Sequence, residues 1–160
     1  MHKLKYLLIS FFVILFDQVS KYEVRHLIKY GQVIKVTPKF LWITHITNKG
    51  AAFSLSFGSP QLNRIIFLVV GFFTVFIISY LGYKSKSKIE MVAFSLIIGG
   101  AFGNLIDRIF NGGVTDFIWT DFPDIIMERW PIFNVADSSI VIALGLIIIE
   151  SLFFAKKTEV

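Results

Sequence analysis

The sequence predicts an all-α integral membrane protein with four transmembrane helices and a small extracytoplasmic β-sheet. Three observations carry that prediction. Only 17% of the 160 residues are charged and 55% are hydrophobic, whereas a soluble domain carries about 25% charged residues. Four apolar segments stand out, Leu4–Tyr22, Ile65–Tyr83, Ile89–Ile106 and Ser138–Ala155, each close to the roughly 20 residues that a helix needs to cross a bilayer. The link between the second and third is only Lys84-Ser85-Lys86-Ser87-Lys88, which forces an antiparallel helical hairpin. One domain, residues 1–160, is the natural count at this length.

The first segment begins like a secretory signal, with Lys3 and Lys5 before an apolar run, but Asp17, Gln18, Ser20 and Lys21 follow it instead of a small-residue cleavage site. It is expected to be a retained helix. The second segment is uncharged. The first holds Asp17 and Lys21, the third runs into Asp107 and Arg108, and the fourth contains Glu150. Ionisable groups at membrane depth are costly, so each is a functional candidate. In the link from Gly31 to Pro60, Val33–Val36 and Phe40–Ile46 have strand composition, Asn48-Lys49-Gly50 signals a turn, and Phe53, Leu55 and Phe57 alternate as in a half-buried strand. The link from Asn111 to Asp137 holds Gly112-Gly113, Pro123 and Pro131 around an amphipathic stretch, Asp124–Trp130.

The formal charge of +5 is spread between apolar runs. Anionic lipid headgroups therefore suit it better than nucleic acid. An even number of spans puts both termini on one side. The basic count alone does not satisfy the positive-inside rule, but the Lys84–Lys88 loop and the basic start favour cytoplasmic termini. No Cys is present, which removes disulfides, thiolate metal sites and a Cys nucleophile.

An up-down-up-down path gathers the end of helix one, the start of two, the end of three and the start of four at one membrane face. Asp17, Lys21, Arg64, Asn104, Asp107, Arg108 and Asp137 lie at those ends, and Asp116 follows helix three by a short loop. Gly99 and Gly103 form a small-xxx-small pair for close helix approach. Gly100, Asn104 and Arg108 share one face. Asp17 and Lys21 are spaced for an i,i+4 ion pair, structural or site-ordering. Taken singly, Asp116 reads equally well as a surface turn acid, and Asp137 reads more readily as the N-cap of helix four. Together they invite a dyad, because two close carboxylates share a proton, one serving as base and the other as acid. His2, His26 and His45 lack metal-ligand spacing, and there is no HExxH. Ser20 and Lys21 are adjacent and point apart, against a Ser–Lys dyad. A transporter relay and a non-catalytic assembly subunit are the rival readings. The first lacks an inverted repeat, and the second leaves the two aspartates unexplained.

The chain resembles the lipoprotein signal peptidase, or signal peptidase II, family. The resemblance rests on Asp17-Gln18-Val19-Ser20-Lys21, Asn48-Lys49-Gly50-Ala51-Ala52-Phe53, Gly99 through Arg108, Gly113-Val114-Thr115-Asp116-Phe117 and Phe133-Asn134-Val135-Ala136-Asp137-Ser138, in that order over nearly the whole chain. It implies a catalytic pair, Asp116 and Asp137, with support from Asp17, Lys21, Asn48, Gly50, Asn104, Arg108, Asn134 and Ala136. It implies a diacylglyceryl-prolipoprotein substrate cut just before its lipid-modified Cys, no metal and no organic cofactor. The location it implies is the bacterial cytoplasmic (inner) membrane, multi-pass, both termini cytoplasmic and the site on the outer face, with a periplasmic lid segment around Asp124–Trp130. Membrane lipids are the other expected partner, nucleic acid is not, and a monomer is expected. Thr115 stands where an aliphatic residue is common, and the stretch between the aspartates is slightly long, which bears on the lid.

Overall fold

The computed structural model describes residues 4–50, 58–121 and 130–153. Among the described residues four helices, α1 (Leu4–Leu27), α2 (Pro60–Lys84), α3 (Lys88–Phe110) and α4 (Val135–Phe153), and three strands, β1 (Val33–Lys35), β2 (Leu41–Asn48) and β3 (Val114–Thr120), follow one another in the order α1-β1-β2-α2-α3-β3-α4. Among the described residues three helices, α2, α3 and α4, are long and apolar enough to cross a membrane, with mean hydropathies of 2.5, 1.8 and 2.0. The outer surface of α2 needs a lipid solvent: Phe76 is 73% exposed, and the helix's most apolar stretch has no buried residue. α1 spans 24 residues and continues beyond its apolar run through Glu23 and Arg25.

Local chemistry sets the helix ends. Ser59 caps α2, its side chain accepting from the Leu62 amide, and Pro60 opens the helix with a residue that has no amide hydrogen to satisfy. Ser87 caps α3 by accepting from the Glu90 amide. Between them only Ser85-Lys86-Ser87 remains, the tight antiparallel hairpin expected from the Lys-rich link. Ser85 donates to Glu90 Oε2 at 2.6 Å and Ser87 donates to Glu150 Oε1 at 2.5 Å, tying this turn to α4.

α3 is the axis of the molecule and packs against all three other helices. Lipid gives helices no hydrophobic drive to associate, so close van der Waals contact has to supply it. The small residues of α3 provide that contact. Gly99 lies against Val13, and a Cβ on Gly103 would sit 2.5 Å from Asp17 Oδ2, so the small-xxx-small pair does face α1. Gly100 faces α4, where a Cβ would lie 2.5 Å from the Ala136 carbonyl oxygen. Because that neighbour is backbone, Gly100→Ala should lower stability by about 1–3 kcal/mol, read by thermal unfolding in detergent micelles. Unchanged melting would mean that the α3–α4 seam can part at no cost.

The strands form one antiparallel sheet in the order β1-β2-β3. Strands near Val33–Val36 and Phe40–Ile46 were expected and are found with ends shifted by one or two residues. β3 was not expected, since its stretch read as a turn and motif region. It pairs with β2 through Ile43 opposite Ile118 and Ile46 opposite Asp116, with an irregularity between, and Trp42 meets Trp119 edge-on at 4.9 Å. Pairing with β2 puts Asp116 on a strand held against α1 and α3, rather than in a surface turn. The expected strand at Phe53, Leu55 and Phe57 lies outside the described residues, as does the amphipathic stretch Asp124–Trp130 apart from Trp130.

Candidate active site

The site lies where α1, α3, α4 and β3 converge, and its foundation is a buried charge network. Asp17, Lys21 and Asp107 are each 0% exposed. The Lys21 ammonium has three protons to place. It bonds Asn104 Oδ1 at 2.9 Å and forms ion pairs with Asp17 Oδ2 at 2.8 Å and Asp107 Oδ2 at 3.5 Å. The i,i+4 pair expected on α1 is therefore present, and it also reaches α3. Asp17 Oδ1 accepts from the Ala136 amide at 2.9 Å, so one carboxylate of α1 fixes the first turn of α4. That amide is a helix N-terminal donor with no partner inside its own helix, and a carboxylate there also suits the helix dipole.

Asn134, fully buried, joins the two candidate catalytic acids. Its Nδ2 donates to Asp116 Oδ1 at 2.7 Å and to Asn104 Oδ1 at 3.2 Å. Its Oδ1 accepts from the Asp137 amide at 2.9 Å, and its own amide donates to Asp137 Oδ2 at 3.3 Å. These reciprocal bonds form a capping box. Asn134 is therefore the N-cap of α4, and Asp137, which taken alone read as that cap, closes the box three residues on. Asp137 Oδ1 accepts from Asn104 Nδ2 at 2.8 Å. Asp116 Oδ2 accepts from Asn48 Nδ2 at 3.2 Å. Both carboxylates are thus held at each oxygen by amide donors, which fixes their planes without neutralising them.

The remaining expected residues line the same place. Asn48 Oδ1 accepts from the Gly50 amide at 2.9 Å, closing the turn after β2. Arg108 donates to the carbonyls of Asn104 at 3.4 Å and Gly50 at 3.5 Å, and its guanidinium lies over the Phe67 ring at 5.3 Å. Arg108 thereby links α3, the turn after β2 and α2. All ten residues singled out from the sequence meet in one connected network.

Asp116 is 2% exposed. Burial pushes its carboxyl up to about 7, and the charge of Asp137 pushes the same way. The amides of Asn48 and Asn134 and the Lys21 ammonium pull it back. The strand thus holds a carboxyl that can keep a proton near neutrality, next to a second carboxyl at a helix N-terminus.

The signal peptidase (SPase) II family profile matches residues 9–153. The chain belongs to the signal peptidase II family. Curated relatives named lipoprotein signal peptidase agree with this. One from Serratia marcescens is 38% identical over 89% of this chain and 81% of its own length. Another, from Francisella tularensis subsp. novicida, is 38% identical over 98% of this chain and 96% of its own. A bacterial membrane enzyme solved by the in meso method at 2.3 Å resolution superposes with a TM-score of 0.84 at 38% identity, covering 98% of this chain and 93% of that one. A second, at 1.9 Å resolution, gives 0.78 at 37% identity over 94% of each. As a signal peptidase II the chain is a multi-pass membrane protease of the family that processes lipoprotein signal peptides.

Some members of this signal peptidase II network were not picked out in the sequence. Asp107 was noted as an ionisable group at a helix end and as part of the helix-three motif, but was given no role in the site. Its carboxylate accepts from the Thr115 amide at 2.8 Å, from Asn111 Nδ2 at 3.0 Å and from Arg25 at 3.1 Å, besides pairing with Lys21. Gln18 donates to the Gly103 carbonyl at 3.0 Å. The spacing Asp17, Lys21, Arg25, one residue per turn on one helix face, was the available signal for Arg25.

Proposed function

We propose that this chain is an aspartyl endopeptidase that cleaves diacylglycerated prolipoproteins just before the lipid-modified Cys, with Asp116 and Asp137 as the catalytic pair. The observation that carries the reading is the Asn134 bridge, which binds both carboxyl groups and leaves Asp137 only partly buried while Asp116 is enclosed. In the singly protonated pair, the ionised carboxylate takes a proton from a water. The water oxygen attacks the scissile carbonyl, and the protonated carboxyl donates to the carbonyl oxygen as charge develops there. Collapse of the tetrahedral species breaks the C–N bond and returns a proton to the leaving amine. The pair supplies both acid and base. Cleavage of a lipidated prolipoprotein by the purified chain, wild type against Asn variants at the two positions, tests the reading.

The membrane arrangement belongs to the same proposal. α1 is the fourth span, its Asp17 and Lys21 masked by their mutual pairing and by α3 and α4. Residues 1–160 form one monomeric peptidase domain in the cytoplasmic membrane, with termini inside and the sheet and dyad at the outer face. Diacylglycerol in that leaflet holds the scissile bond at the depth of the dyad, and the chain around Asp124–Trp130 acts as the lid. A reporter fused within Lys84–Lys88 should read as cytoplasmic and one at Ser59 as external. An external reading at Lys84–Lys88 would invert the placement.

The elevated Asp116 value sets a pH dependence. As pH rises through about 7 the pair loses its shared proton, so kcat should fall on the alkaline side. The Asn48 amide favours the ionised carboxylate; Asn48→Ala removes that bond, and the alkaline limb should move to higher pH. A pH–rate profile checks both, and a limb that stays put in Asn48→Ala would dissociate it from Asp116.

A further inference from the structure

We propose that Arg25 is a positioning residue for Asp116: it ties the Thr115 side chain to the buried Asp107 carboxylate and so fixes the segment of β3 that presents the acid. This rests on Asp116 being catalytic.

Arg25 stands one turn beyond Lys21 on α1. Its Nη1 donates to Thr115 Oγ1 at 3.0 Å and to Asp107 Oδ1 at 3.1 Å. Thr115, the residue immediately before Asp116, is 2% exposed and gripped from three sides. Its amide donates to Asp107 Oδ2 at 2.8 Å, its carbonyl accepts from Asn134 Nδ2 at 3.4 Å, and its hydroxyl takes the Arg25 bond. Asp107 and Asn134 hold the main chain of Thr115, and Arg25 holds its side chain. Successive strand side chains point to opposite faces. A Thr115 anchored on the α1–α3 side therefore turns Asp116 toward Asn134 and the dyad. Rotation of the strand about its axis would swing the Asp116 carboxylate away from its 2.7 Å bond to Asn134.

Charge adds a second reason. At the base of the network two fully buried carboxylates, Asp17 and Asp107, form ion pairs with the same fully buried ammonium, Lys21. Arg25, with its side chain 25% exposed, adds a second ion pair to Asp107 from the edge. Without it Asp107 keeps, among the described residues, a single ion pair, at 3.5 Å, to a Lys21 that also pairs with Asp17. A group acting through another residue changes turnover more than substrate affinity, because small misplacement of a reacting group is costly.

The test uses the full chain in detergent micelles with a diacylglycerated prolipoprotein, and compares wild type, Asp116→Asn, Arg25→Ala, Arg25→Lys, Thr115→Val and the Arg25→Ala/Thr115→Val double variant. Asp116→Asn establishes the reading beneath: if it cleaves, the aspartyl assignment falls and the inference with it. With Asp116→Asn inactive, Arg25→Ala should lower kcat about tenfold or more, the loss of its charge-assisted bonds to Thr115 and Asp107 expressed in the transition state, with KM unchanged. Thr115→Val should lose a comparable amount. The double variant should be no worse than Arg25→Ala, because the bond that Thr115→Val deletes is already lost in Arg25→Ala. Arg25→Lys should fall between wild type and Arg25→Ala. Should Arg25→Ala fail to fold, Thr115→Val decides by itself, since it removes only the hydroxyl. Wild-type kcat in Thr115→Val, multiplying losses in the double variant, or a change confined to KM would each overturn the assignment.

Discussion

Asp116→Asn and Asp137→Asn should each abolish cleavage of a diacylglycerated prolipoprotein, lowering kcat by at least the 10²–10⁴-fold that a positioned acid or base contributes. Each carboxyl must hold a proton in one microstate and release it in another, and an amide does neither. Neither change removes volume, so both variants should insert and fold. The double variant should be scarcely slower than either single one, because residues acting as a unit do not contribute additively. KM should change little, since the lipid and the apolar signal helix supply most of the contact. The measurement is initial-rate cleavage with folding checked by thermal melting. A well-folded Asn variant that turns over near the wild-type rate would end the aspartyl reading, and a wild type inert toward lipidated substrate would end the substrate assignment.

Much of this site was legible because its members sit at fixed places relative to apolar segments. The four segments became α1–α4, and the antiparallel path brought Asp17, Asn104 and Asp137 to one end, where bonds of 2.8 to 2.9 Å now connect their neighbourhoods. What escaped has physical causes. β3 is buried on both faces over Val114–Phe117, so it lacks the polar–apolar alternation by which a half-exposed strand is recognised. Asn134 sits three residues before an acid, the spacing of a capping box, but Asp137 is itself a favoured N-cap type and obscured it. The hub at Asp107 depends on partners from Lys21 and Arg25, 82 or more residues away. No local periodicity reports such a pairing. An acid at a helix end looks like solvation until the tertiary contacts close over it.

Lys21→Met should be the most destabilising single change in the site. Methionine preserves much of the length of the lysine stem but has no donors. Among the described residues it would leave the Asp17 carboxylate with the Ala136 amide and Gln18 Nε2, at 2.9 and 3.0 Å, and Asp107 with Arg25 as its ion-pair partner. Breaking a buried ion pair by removing one partner costs about 3–5 kcal/mol, because the other charge remains desolvated. Two carboxylates share this ammonium, so the upper part of that range is expected. For a protein with a typical stability of about 5–15 kcal/mol, that is a large fraction of the whole. Activity should fall as well, because Asn104 Oδ1 loses its Lys21 donor and Asn104 Nδ2 positions Asp137. The partner change separates charge from packing: Asp17→Asn on the Lys21→Met background should recover part of the lost melting temperature by deleting one unpaired carboxylate. Thermal unfolding in micelles across the two single variants and the double one reads the coupling directly. Additive losses would mean that Asp17 and Lys21 stabilise the bundle independently, and unchanged melting in Lys21→Met would show that the buried ammonium is not what holds α1 to α3.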